Sequence, residues 1–144
     1  MKILCIGYRD WANNIYKSIE HMANCKIIST VEDYNEHLLK DFDPDLILWY
    51  GWSKIINKDI IDKYFCVMLH PSPLPKYRGG SPIQNQIING ESTSAVTLFH
   101  MNQEVDKGDI IYQESFSLLG DLHDILNRIE TIGSSLTKKM LNNW

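Results

Sequence analysis

Three short runs in this chain are apolar almost throughout, with no polar residue at every second position: KILCIG at 2–7, LILWYG at 46–51 and FCVMLH at 65–70. A strand with one face in water alternates apolar and polar residues, whereas a strand buried on both faces does not. Between the runs lie segments with helical spacing. Residues 10–21 put Trp11, Ile15, Ile19 and Met22 on one face behind Asp10 as a candidate N-cap. Two shorter helices are expected over 33–42 and 57–64. Doubly buried strands alternating with helices fold into a mostly parallel central sheet covered on both sides, a three-layer α/β architecture.

The remaining elements fit that plan. Residues 26–30 read as a second strand. Asp43-Pro44-Asp45 ends the second helix, because proline disfavours a helical residue before it. Residues 81–89 form a helix closed by Gly90. Strands are expected over 93–101 and 109–117, and an amphipathic helix over 122–141. The 144 residues suit one domain with a real core, and no linker, repeat or low-complexity tract divides 1–144.

Composition narrows the partners. A net charge of −4 leaves no broad basic surface for a nucleic-acid backbone. Cys5, Cys25 and Cys66 each sit in an apolar run without CxxC spacing. They read as buried free thiols of a reducing cytosol, so no metal is expected. The start, MKILCIGYRD, has too short an apolar stretch for a signal peptide, and no segment approaches a membrane span. A cytoplasmic protein without a membrane partner is expected.

In a parallel sheet, ligands bind beyond the carboxyl ends of the strands. That rule selects the loops after Gly7, Tyr50 and Leu69, and His70 stands at the last of them. A lone histidine is more often a hydrogen-bonded structural residue. Here Pro71, Pro73 and Pro75 stiffen the backbone that follows, and Gly79-Gly80 lets backbone approach something closely. On the residues alone, structural and functional readings of His70 stay evenly balanced.

The wording of the stretch goes further. HPSPLPKYRGGSPIQNQIINGE from His70, followed by AVTLFHMNQEVDKGDIIYQE from Ala95, closely resembles the catalytic core of the 10-formyltetrahydrofolate-dependent formyltransferases. The likeness is strong over about residues 45–120 and weaker over the first strand and helix. It implies the Rossmann-like, three-layer formyltransferase fold. It also implies transfer of a formyl group from 10-formyltetrahydrofolate, as co-substrate, to the amine of a small molecule. By position, His70 matches the family's catalytic histidine and Asp106 its essential aspartate. Gly51, Trp52, Ser53, Lys54, Ile55 and Ile56 match the loop whose backbone receives the pterin ring. Asn102, Gln103, Glu104, Val105 and Asp106 match the loop closing over its other side. Ser72, with Lys76, Tyr77, Arg78, Gly79 and Gly80, shapes the amine side. Core packing is the alternative for Trp52, and a solvated or structural role that for Arg78.

Three departures from the family pattern qualify this. Relatives read Asn-x-His where this chain reads Met68-Leu69-His70. The family asparagine donates a hydrogen bond to the formyl oxygen, and a thioether has no proton to donate. Gln84, Asn85 and Asn102 are candidate replacements. Second, the chain is expected to lack a strand–helix unit of the family between Thr30 and Asp45 and to be without the C-terminal domain that holds tRNA. With the acidic balance, this disfavours methionyl-tRNA. Third, Gly7-Tyr8-Arg9-Asp10-Trp11 does not match the loop that binds the phosphate of glycinamide ribonucleotide. PKYRGGSPIQ is most similar to the members that formylate nucleotide-linked amino sugars. A second function class remains: a noncatalytic relative that binds folate or a protein partner. Apolar edges in a shortened fold also allow a homodimer.

Overall fold

The computed structural model describes residues 1–102 and 108–144. Its elements are β1 (Lys2–Ile6), α1 (Asp10–Ile19), β2 (Asn24–Ile28), α2 (Glu36–Phe42), β3 (Leu46–Trp49), α3 (Lys58–Lys63), β4 (Cys66–His70), α4 (Pro82–Ile88), β5 (Thr93–His100), β6 (Asp109–Ser117) and α5 (Leu122–Asn142). They form one six-stranded sheet in the order β2-β1-β3-β4-β5-β6. Neighbours from β2 to β4 are parallel, and β5 runs antiparallel to both β4 and β6. The sheet is thus mostly parallel, with a single reversed strand.

Local chemistry sets the helix ends and moves some of them from their expected places. Asp10 lies inside α1; the preceding Arg9 is the N-cap and makes no side-chain cap bond. The helix stops at Ile19 and tightens into a 3-10 turn. Helix α2 begins at Glu36, not residue 33, because the Asn35 side chain accepts the Leu38 N–H at 3.2 Å. β2 begins at Asn24, earlier than residue 26, and its exposure alternates as expected of an edge strand.

The sheet buries both faces. Helices α1 and α5 cover one, where Ile15 and Ile19 of α1 and Ile129 and Leu136 of α5 join a cluster with Val67, Leu69 and Leu98. Gly133 permits this closeness: a Cβ there would lie 2.6 Å from Ile15 Cδ1 and 2.8 Å from Leu69 Cδ1. On the other face, Leu39 of α2 and Ile60 of α3 close over Leu4, Ile6, Ile47, Trp49 and Cys66. Burial raises the Cys66 thiol to about 11; all three cysteines are free. Among the described residues no helix is long and apolar enough to cross a membrane.

A buried tyrosine ties the strand ends together. The Tyr16 hydroxyl accepts the Tyr50 N–H at 2.7 Å and lies 2.7 Å from Ile6 O and 3.0 Å from Leu48 O. Complete burial pushes its pKa up, so it stays protonated and able to donate. The carboxyl ends of β1 and β3 are thereby fixed directly below the loops that form the site.

Candidate active site

A cleft of about 480 Å³ opens on the face of the sheet carrying Met68, His70 and Phe99, between the loops that follow β1, β3 and β4. These are the loops that the strand-end rule selects. Its size lies within the ~300–1,000 Å³ common for small-molecule sites. Its walls are largely apolar and aromatic: Trp11, Trp49, Trp52, Ile56, Phe99 and Met101.

His70 closes β4 and is only 6 % exposed. Its Nε2 lies 2.8 Å from the Tyr77 carbonyl oxygen. A carbonyl only accepts, so Nε2 carries the proton, and any proton the neutral ring takes up goes to Nδ1. The carbonyl is aimed by an unusual backbone: Tyr77 has φ 59° in the left-handed region. The loop before it is pinned from several sides. Thr97 Oγ1 donates to Ser72 O at 2.7 Å, Ser72 Oγ to Lys76 O at 2.7 Å, and Gln113 Nε2 to Leu74 O at 3.1 Å. The fully buried Gln86 donates through Nε2 to both Pro71 O and Pro82 O at 2.9 Å. The histidine therefore stands on a braced frame, as proton transfer at a fixed place requires.

The loop after β3 is stitched to the loop after β1. A Cβ on Gly7 would meet Tyr50 O at 1.8 Å, and one on Gly51 (φ 61°) would meet Arg9 Cβ at 2.8 Å, so neither position accepts a side chain. The Tyr8 hydroxyl hydrogen-bonds the Ser53 side chain and accepts the Ser53 N–H at 3.0 Å. The Tyr8 and Trp52 rings lie 5.2 Å apart, and Tyr34 meets both Trp49 and Trp52 edge-on. Trp52 thus both packs in the core and borders the cleft.

Of the residues singled out in the sequence, Gly51, Trp52, Ser53, Lys54, Ile55, Ile56, His70, Gly79, Gly80 and Asn102 line this cleft. Four of the amine-side set do not. Ser72 is wholly buried, its hydroxyl spent on Lys76 O. Tyr77 acts through its carbonyl, while its own hydroxyl pairs with Glu91 and Asn89. Lys76 and Arg78 are exposed outside the lining. Gln103, Glu104, Val105 and Asp106 lie outside the described residues. Of the candidate replacements for the missing asparagine, Gln84 and Asn85 are exposed away from the cleft; Asn85 donates to Gly80 O at 3.3 Å.

Arg9, Trp11, Ser81 and Met101 line the cleft without having been singled out as site residues. For Arg9 and Trp11 a signal existed, since they follow the first strand end; for Ser81 it did not, because it only opens the helix expected over 81–89. The charged and titratable groups on the described lining are Arg9, Lys54 and His70, with no carboxylate among them. In a chain of net charge −4, the cleft is thus locally suited to an anionic ligand. Among the described residues no group of three or more His, Cys, Asp or Glu side chains is arranged to hold a metal ion.

Comparison with known proteins agrees with this architecture. Residues 8–141 match the family model for formyl transferase. A methionyl-tRNA formyltransferase of Borreliella burgdorferi is 36% identical over 136 residues, 90% of this chain and 44% of that protein. The chain therefore spans less than half the length of the curated relatives it matches. The solved structure of methionyl-tRNA formyltransferase from Clostridium thermocellum superposes with a TM-score of 0.83 at 30% identity, over 96% of this chain and 66% of that one. HypX from Aquifex aeolicus, in complex with tetrahydrofolic acid, superposes at 0.77 and 23% identity, over 100% of this chain and 27% of that one, a likeness of fold. With the strand order, the cleft at the strand ends and a family match over most of its length, the chain belongs to the formyl transferase family.

Proposed function

We propose that this domain transfers a formyl group from 10-formyltetrahydrofolate to the amine of a small molecule, with a nucleotide-linked amino sugar the favoured acceptor class. The observation that carries the reading is His70: buried, held through Nε2 by the Tyr77 carbonyl, and bordering the cleft. The folate is a co-substrate, and the residues present suit it. Trp52 and Ile56 offer apolar wall to a ring, and the loop 51–56 offers backbone N–H and C=O groups to its edge. His70 would move the proton lost by the incoming amine and, once protonated, attract the negative charge growing on the formyl oxygen. Asp106, as in the family pattern, would favour the charged imidazole. Arg9 and Lys54 would hold anionic parts of the ligands.

Incubation with 10-formyltetrahydrofolate and an amine panel, with tetrahydrofolate release followed by chromatography, tests the proposal. The panel includes nucleotide-linked amino sugars, amino acids and methionyl-tRNA, the last because curated relatives carry that name. Turnover on a small amine and not on tRNA supports it. Turnover confined to methionyl-tRNA would overturn the acceptor class but not the reaction.

Met68, lining the cleft, favours a second reading: a relative that binds folate without turning it over. If Met68→Asn creates activity absent from the parent chain, that reading stands.

A further inference from the structure

We infer that the Ser81 hydroxyl donates to the formyl oxygen the hydrogen bond that Met68 cannot supply. This rests on reading the cleft as the formyl-transfer site. In the reaction the amine lone pair forms a bond to the formyl carbon, and the carbon–oxygen π pair moves onto oxygen. When that pair returns, the bond from carbon to the folate nitrogen breaks. That nitrogen leaves with a proton that His70 relays from the amine; a formamide and tetrahydrofolate result. Ser81 keeps its proton throughout and only donates toward the oxygen while it is negative.

Three observations single out Ser81. First, it borders the same cleft as Met68 and His70, and its neighbourhood is tied to that of the histidine. One Gln86 amide nitrogen bonds both Pro71 O, next after His70, and Pro82 O, next after Ser81, each at 2.9 Å. Second, its backbone is left-handed at φ 55°, costly for a residue with a Cβ. A serine before a helix ordinarily has extended backbone and accepts an N–H of the first turn. Ser81 makes no such bond, so the conformation is not repaid by capping and leaves the hydroxyl available to the cleft. Third, the described lining carries one other hydroxyl, and it is engaged. The Ser53 hydroxyl is bonded to Tyr8.

The test uses Ser81→Ala and Ser81→Gly in the full chain, with calorimetric titration of tetrahydrofolate alongside kinetics on the amine the parent turns over. Both variants lose the hydroxyl, and glycine also relieves the backbone. Expected is a fall in kcat of about a hundredfold in both, by analogy with loss of one oxyanion donor, with tetrahydrofolate affinity kept within about threefold. Adding Met68→Asn to Ser81→Ala restores at least ten of that hundredfold. A Ser81→Ala enzyme within about threefold of the parent in kcat would overturn the inference. So would no rescue by Met68→Asn, or a parent chain that binds tetrahydrofolate but formylates no amine. Failure of the parent to bind tetrahydrofolate overturns the underlying site reading as well, and the titration tells the two apart.

Discussion

Removing one oxygen atom, in Tyr16→Phe, tests whether the strand ends below the cleft are held as described. The hydroxyl is fully buried and serves backbone groups of three residues: it accepts the Tyr50 N–H, and Ile6 O, Leu48 O and Tyr50 O lie within reach of its proton. No water replaces it there, because Tyr50, Leu48 and Ile6 are themselves buried. Phenylalanine keeps the ring, which stacks 5.4 Å from Tyr50, so packing is nearly unchanged. What is lost is one net hydrogen bond, and the Tyr50 N–H is left buried without its acceptor; such a group costs about 1–3 kcal/mol. We expect a loss of ~2 kcal/mol. At roughly 2 cal/mol/K of unfolding entropy per residue, a chain of 144 residues then melts about 7 °C lower. Urea unfolding followed by tryptophan fluorescence reads this as a lower midpoint at unchanged slope. Tyr112→Phe is the control: its ring sits half-exposed under Lys139, so little should change. A Tyr16→Phe shift no larger than the control's would refute the reasoning.

Three further outcomes are expected. His70→Ala should abolish formyl transfer while far-UV circular dichroism and the unfolding midpoint stay near the parent's; undiminished turnover would remove the histidine from the mechanism. Tyr8→Phe unlinks the loop 51–56 from the first loop, so tetrahydrofolate affinity should fall several-fold with kcat less affected, and an unchanged titration would count against that loop as the pterin site. The Asp124 N–H donating to Asp121 at the start of α5 holds the Asp121 carboxyl below the usual carboxylate range. Its charged form therefore contributes stability that is fully present above the unfolded value near ~3.9 and lost as pH falls through the folded one. Asp121→Asn should be less stable than the parent at pH 7, and the gap should close in acid; a gap that widens in acid would contradict the assignment.

Much of the molecule was readable before folding. Runs such as 46–51, apolar on every side, demanded a covered parallel sheet, and β6 came out over the residues its composition suggested. The motif around His70 located the cleft. What misled were caps and edges: Asn35 shortened α2 by a single side-chain bond, and β2 lay at the sheet edge, where alternation weakens the apolar signal. Ser72, Lys76, Tyr77 and Arg78 were grouped by adjacency in a motif, but a turning loop sends neighbouring side chains to different surroundings.

The sequence by itself determined the layers and the position of His70 at a strand end, because burial on both faces and a rigid proline-rich turn are local properties of the chain, and its motif carried the resemblance to the family. Only the tertiary structure decided which ring nitrogen carries the proton and which side chains border the cleft. Those depend on left-handed backbone at Tyr77 and Ser81, and on a buried glutamine joining two carbonyls that are eleven residues apart in the chain.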